Sequence, residues 1–152
     1  MRKKILVLMG GISGERKISL LSGRACFNAL KKKKYNVKIL DPKGNFLDQL
    51  RKIKPDIVFN ALHGRFGEDG FVQSILEMEQ IRYTHSGVLA SSIAIDKEIS
   101  KKIFIKKKIN TPKYFVFNLS SNENIFQELK RKKISFPVII KPINEGSSLG
   151  VY

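Results

Sequence analysis

The sequence predicts an α/β protein: a doubly wound unit on a mainly parallel sheet, followed by the beginning of a second, α+β unit. Three features carry that prediction. Short continuous apolar runs, such as Lys4 to Met9 (KILVLM), alternate with longer stretches of helical spacing. Several of the runs end in glycine-rich turns, as strands buried on both faces do. The connections are short, and strand and helix alternating on short connections imply parallel strands joined by right-handed crossovers.

In chain order, Lys4 to Met9 reads as a strand ending at Gly10-Gly11, and Glu15 to about Lys32 as a helix with Ile18, Leu21, Ala25 and Ala29 on one side. A strand follows at Asn36 to Leu40, a short helix at Phe46 to Ile53, and a third strand at Asp56 to Leu62. Helix Phe71 to Glu79 and strand Ile81 to Thr84 complete the first unit. After Ser86-Gly87 the pattern changes to a helix of small residues, Val88 to Ile95, and a basic helix, Lys97 to Lys108, stopped by Asn110-Thr111-Pro112. Strand Tyr114 to Phe117, helix Asn122 to Lys132 and strand Phe136 to Lys141 follow. The expected division is residues 1–95 as one domain and residues 96–152 as the start of another, with no internal repeat and no low-complexity linker.

Composition narrows the function. With 152 residues and 42% hydrophobic content, the chain can bury one good core, or one and part of a second. No apolar stretch approaches the ~20 residues of a membrane span, and the run after Met1-Arg2-Lys3-Lys4 is shorter than a secretory signal's, which points to the cytoplasm and away from a membrane partner. The single cysteine, Cys26, excludes an internal disulfide and a cysteine zinc cluster and reads as a small apolar residue of the first helix. A net charge of +16 raises nucleic acid as a partner, but lysine outnumbers arginine 22 to 7 and the runs are not interleaved with aromatic residues. Lys31 to Lys34, Lys106 to Lys108 and Lys130 to Lys133 each fall where a helix C-terminus is expected, where the dipole favours cations. Nucleic acid is therefore not the expected partner; an anionic nucleotide fits the residual charge.

Three loops follow expected strand ends, the place where open α/β sheets hold ligands. The first, Gly10-Gly11-Ile12-Ser13-Gly14-Glu15-Arg16, lacks the G-x-G-x-x-G spacing of a dinucleotide site. Glu15 at a helix N-terminus would repel phosphate; it either complements the helix dipole or holds an ammonium group. The second, His63 to Gly70, carries a histidine, an arginine, two carboxylates and three glycines in eight residues, more than turn chemistry needs. The third runs from Lys141 through Glu145-Gly146-Ser147-Ser148-Leu149-Gly150. Its glycines allow close backbone approach, successive N–H groups form an anion nest, and Ser147, Ser148 and Lys141 add hydroxyl donors and a cation. It is not a Walker A loop, which requires G-x-x-x-x-G-K-[ST].

Five blocks, MGGISGERKISLLSG (9–23), ALHGRFGEDG (61–70), YTHSGVLAS (83–91), Asp96-Lys97 and IKPINEGSSLG (140–150), resemble in order and spacing the front half of D-alanine-D-alanine ligase. The resemblance spans essentially the whole chain; the last block alone would indicate only the wider ATP-grasp superfamily. It implies a Rossmann-like pre-ATP-grasp domain followed by an incomplete ATP-grasp subdomain. It also implies an ATP-dependent ligation, in which the carboxylate of one D-alanine becomes an acyl phosphate that the amine of a second attacks, supplying peptidoglycan synthesis. By that resemblance Glu15 and Ser147 are catalytic and share a hydrogen-bond network, and Glu15 and His63 bind the first D-alanine. Lys97, Lys141, Gly146, Ser147 and Ser148 hold ATP. Magnesium or manganese would be the metal, with its ligands in the family's later half, outside this chain; a homodimer is compatible. The chain is thus expected to be the front part of a larger enzyme and inactive alone, the alternative being a non-catalytic α/β module for a small ligand or nucleotide. Two positions depart from the family pattern: His85 stands where glycine is usual, and Phe66 where a small residue is.

Overall fold

The computed structural model describes residues 3–118, 120, 124–146 and 149–152. Chain order is β1 (Lys4–Leu8), α1 (Arg16–Lys32), β2 (Asn36–Leu40), α2 (Phe46–Ile53), β3 (Ile57–Asn60), α3 (Phe71–Met78) and β4 (Arg82–Tyr83), then α4 (Val88–Ile95), α5 (Lys97–Lys106) and α6 (Ile125–Arg131). The strands form one parallel sheet in the order β2-β1-β3-β4. From β1 the chain moves outward to β2, then returns past β1 to β3 and β4. Right-handed crossovers therefore place α1 on one face and α2 and α3 on the other.

Side-chain packing matches that geometry. Successive strand residues point to opposite faces. Leu6, Leu8 and Val58 lie in one buried cluster with Phe46 and Leu50 of α2 and Val72 and Leu76 of α3. Val7, Val37 and Ala61 form the other, against Phe27 and Leu30 of α1. A sheet apolar on both faces is what the unbroken KILVLM run encodes.

The sheet-facing side of α1 is not its most apolar side. Ile18 and Leu21 are 48% and 70% exposed, whereas Ser19 and Gly23 are buried. Close approach explains the choice: a Cβ built on Gly23 would lie 2.3 Å from Cβ of Met9. The stripe Ile18, Leu21, Ala25 and Ala29 has helical spacing, but the contact face is made by Ser19 and Gly23 together with Phe27 and Leu30.

The expected strands 114–117 and 136–141 enter no sheet ladder among the described residues. Only Ile140 and Tyr152 exchange both backbone hydrogen bonds, at 2.9 and 3.0 Å. A strand exists through its neighbour's N–H and C=O groups, which a side-chain pattern cannot supply. The helix expected from Asn122 begins at Ile125 in the structure; residues 122 and 123 lie outside the described set. Leu129 is the one buried hydrophobic residue after position 95 among the described residues, so the core sits on the sheet. No helix there is long and apolar enough to cross a membrane.

The lysine runs do close helices. Lys33, Lys107 and Lys132 are the C-caps of α1, α5 and α6. Each is followed by a left-handed residue, Lys34, Lys108 or Lys133, at φ 61, 59 and 52°. The next N–H returns to the carbonyl five residues back: Tyr35 to Leu30, Ile109 to Phe104 and Ile134 to Leu129, at 3.2, 2.8 and 3.0 Å. This pairing satisfies terminal carbonyls and ordinarily uses glycine at the left-handed position. Here the dipole's preference for cations is met by lysine at a backbone cost of roughly 1–2 kcal/mol per residue.

Two substitutions test these packing arguments by chemical denaturation. Lys34→Gly should raise stability by about 0.5–1 kcal/mol, the left-handed penalty removed less the added freedom of the unfolded chain; an unchanged or lower midpoint contradicts the cap assignment. Gly23→Ala should lower stability despite the ~1 kcal/mol helix-propensity gain, because overpacking against a side-chain stem costs about 1–3 kcal/mol.

Candidate functional site

Between β1 and β3 the strand order reverses, and at such a switch point the loops after two neighbouring strands diverge and leave a crevice. Here those loops are residues 9–15 and 61–70. Ser19 ties them together: its buried Oγ accepts from Gly10 N–H at 2.8 Å and donates to the Ala61 carbonyl at 2.7 Å. Ser13 adds a second tie, its Oγ donating to the His63 carbonyl at 2.7 Å and accepting from Glu15 N–H at 3.2 Å.

Arg16 fixes the first loop from the side. Its guanidinium donates to both oxygens of Asp41 at 3.0 and 2.6 Å and to the Gly11 carbonyl at 2.9 Å, while Gly11 N–H donates to Asp41 at 3.0 Å. The Arg16 bond, aided by the Gly11 N–H, holds the Asp41 carboxyl below the usual carboxylate range against the opposing effect of burial. Buried amides shape the second loop, since Asn60 Nδ2 and Gln73 Nε2 both donate to the Gly67 carbonyl, at 2.8 and 2.9 Å. Asp69 accepts from Phe66 and Phe71 N–H at 2.7 and 3.1 Å, so its part is structural.

At the centre lies Glu15, only 4% exposed. Cβ atoms built on Gly64 and Gly146 would fall 2.7 and 2.8 Å from its Oε1. The second and third loops thus close on this carboxylate from two directions, and neither position has room for a side chain. His63 is half-buried; its Nε2 pairs with Ser22 Oγ at 2.9 Å and its Nδ1 lies 3.6 Å from Glu68 Oε1. Glu68 is oriented through its other oxygen, which accepts from Gly64 N–H at 2.7 Å.

Lys97, first residue of α5, points its ammonium into the third loop and donates to the carbonyls of Ile143 and Glu145. Lys141 is exposed and makes no hydrogen bond or ion pair among the described residues. Ser147 and Ser148 lie outside the described residues. The structure therefore brings Glu15, His63 and Gly146 together, sets Lys97 under the third loop and leaves Lys141 apart. An open cleft of about 420 Å³ lies between the loops, lined by Ile12, Ser13, Gly14, Arg65, Phe66, Asp69, Phe71 and Glu145 but not by Glu15 itself.

Sequence reading passed over Ser13, Ser19, Ser22 and Asp41. Glu15, Ser19 and Ser22 recur at helical spacing, a polar face that could have marked the site's side of α1. Asp41 carries no such signal, because its partner is 25 residues away. The two departures are also placed. His85 sits at φ 89°, which glycine adopts freely, and is held by Thr84 Oγ1 at 2.9 Å and the edge of Phe59. Phe66, at φ 72°, packs on Phe71 and Phe46 with ring centroids 4.8 and 6.2 Å apart, which anchors the second loop to the core.

A parallel sheet with helices on both faces and a crevice at its switch point defines the doubly wound α/β class. Comparisons specify it further. The family described as D-ala D-ala ligase N-terminus matches residues 42–86. The chain is 58% identical over 152 residues to D-alanine--D-alanine ligase of Pelagibacter ubique (strain HTCC1062), covering 100% of this chain and 50% of that protein. It is 49% identical over 148 residues to the ligase of Wolbachia pipientis wMel, covering 97% and 45%. Among solved structures, the D-alanine--D-alanine ligase of Bacillus anthracis superposes with a TM-score of 0.81 at 37% identity, over 99% of this chain and 48% of that one. The same enzyme complexed with ATP gives 0.80 at 36%, over 94% and 48%. In sequence and fold the chain is similar to the N-terminal portion of D-alanine--D-alanine ligases, and it spans about half the length of these relatives.

The Arg16–Asp41 clamp predicts a pH signature. A carboxyl held low in the folded state contributes stability above its unfolded pKa and loses it as pH falls through the folded value. Wild type should therefore be more stable than Asp41→Asn near neutrality, and the two should converge as pH drops below the ordinary aspartate range. Parallel unfolding curves down to pH 2 would contradict the clamp.

Proposed function

We propose that this chain supplies the first-substrate end of a D-alanine-D-alanine ligase, serving peptidoglycan synthesis in the cytoplasm. In that reaction ATP phosphorylates the carboxylate of one D-alanine, and the amine of a second displaces phosphate from the acyl phosphate to form the peptide bond. The observation that carries the reading is the buried Glu15 carboxylate in the switch-point crevice. A buried anion beside a histidine and a second carboxylate suits an ammonium group and disfavours a phosphate.

Glu15 pairs with the ammonium of the first D-alanine, and His63 lies against that substrate. Lys97 has three N–H donors; two shape the third loop, leaving one for a phosphate oxygen. Lys141, Gly146, Ser147 and Ser148 complete the ATP contact, and Ser147 shares the Glu15 network. The ATP complex of the Bacillus anthracis relative supports ATP as the nucleotide. No residue of this chain is assigned to magnesium, so no step is routed through it. The domain reading, residues 1–95 and 96–152, is supported by extended Asp96 between α4 and α5, which caps α5 by accepting from Ile99 N–H at 2.9 Å.

Calorimetry should detect D-alanine binding to this chain, with Glu15→Gln weakening it at least about tenfold, since a charge-assisted bond is worth roughly 1.5–3 kcal/mol. No heat with D-alanine under conditions where the chain is folded would remove the reading. Phosphate release with ATP, magnesium and D-alanine should stay at background, because charge neutralisation in phosphoryl transfer depends on a metal clamp not assigned here; sustained turnover by this chain would overturn the division of labour.

A further inference from the structure

One ligand atom each of Glu15, His63 and Glu68 lies within 4.8 Å of the other two. The two ring nitrogens of the histidine have separate neighbours. Ser22 Oγ is 3.0 Å from the Ile18 carbonyl and 2.9 Å from His63 Nε2. A hydroxyl has one proton to donate. With that proton on the Ile18 carbonyl, Ser22 can accept Nε2–H, and this is the tautomer in which Nδ1, on the Glu68 side, is available to ligate a metal. That nitrogen is 3.6 Å from Glu68 Oε1, beyond a hydrogen bond. An imidazole and two carboxylates thus lie close enough to share one cation.

We infer that Glu15, His63 and Glu68 form a binding site for a zinc-class divalent cation. An imidazole with two carboxylates favours zinc over magnesium or calcium, which prefer all-oxygen ligands. Zinc bonds of about 2.0–2.1 Å in tetrahedral geometry set ligand atoms roughly 3.4 Å apart, so the pair at 3.6 Å is nearly in place. The outer contacts are those such a site uses. Ser22 Oγ, 2.9 Å from Nε2, can accept the ring N–H when Nδ1 ligates the metal, and Gly64 N–H holds the second oxygen of Glu68. Glu68 is exposed, so the open side admits a metal and its remaining water. The cation site stands independently of the amine reading. Its consequence rests on that reading: metal and substrate ammonium share Glu15 and exclude each other.

Titration of the tag-free chain with zinc chloride, followed by calorimetry, tests the site. One saturable event is expected, weakened at least tenfold by His63→Asn and by Glu68→Gln, with circular dichroism verifying that both variants fold. Ser22→Ala, which removes only the partner of the ring, should weaken it about tenfold or more. Cobalt substitution should give visible absorption of a low-coordinate centre in wild type and lose it in His63→Asn. Absence of saturable zinc binding, or equal affinity in wild type and both ligand variants, overturns the site. Adding D-alanine separates the two readings. A reduced apparent zinc affinity supports both, zinc binding untouched by D-alanine leaves the metal site and sinks the shared position, and D-alanine binding without zinc binding sinks the metal site alone.

Discussion

Ser19 occupies the point where the sheet changes direction. Its hydroxyl is buried, and it spends both hydrogen-bonding directions on backbone groups of the loops that leave β1 and β3. A buried polar side chain is tolerated only when so satisfied. Here the satisfaction joins three segments that local propensity alone would let splay. The helix can approach closely because Ser19 and Gly23 are small, and that proximity sets Glu15 above the crevice, one turn before Ser19. Core packing on both faces supplies the bulk of the stability, but this contact gives the loops a common origin.

Electrostatics around the crevice then follow from few choices. Arg16 is turned away from Glu15, onto Asp41 and Gly11, so the arginine beside the central carboxylate in sequence neutralises a different one. A carboxylate closed off by glycines, with imidazole and carboxylate nearby, is selective for positive charge. Compact cations and amines both satisfy it, and geometry beyond the first contact separates them. The excess lysines contribute little to this; they cap helix ends.

Much of this was legible in residue order, for reasons that differ from element to element. KILVLM reads as a doubly buried strand because the run is short, aliphatic and stopped at once by Gly10-Gly11. Lys31 to Lys34 marks a helix end because dipole and charge agree there. The contact face of α1 was misleading: the stripe Ile18, Leu21, Ala25 and Ala29 faces outward while Phe27 and Leu30 pack inward, since the close approach at Ser19 and Gly23 demanded small residues there and hydrophobicity does not report size. Tyr114 to Phe117 and Phe136 to Lys141 have strand composition without a ladder among the described residues, because pairing is a property of two segments. The chemistry-bearing loops were visible as dense polar and glycine clusters, whereas the groups that hold them, Asp41, Asn60 and Gln73, are brought in by topology.

The contact between Gly146 and Glu15 has a thermodynamic consequence. Gly146 serves as part of the wall that keeps the carboxylate out of water, so moving it away would rehydrate Glu15 and lower its appetite for a cation. By linkage the effect is mutual: whatever settles on Glu15 favours the closed loop, and whatever draws the loop closed sharpens the carboxylate's affinity by the same factor. Two ligands that never touch would in this way report on each other through one glycine whose missing side chain makes the contact possible.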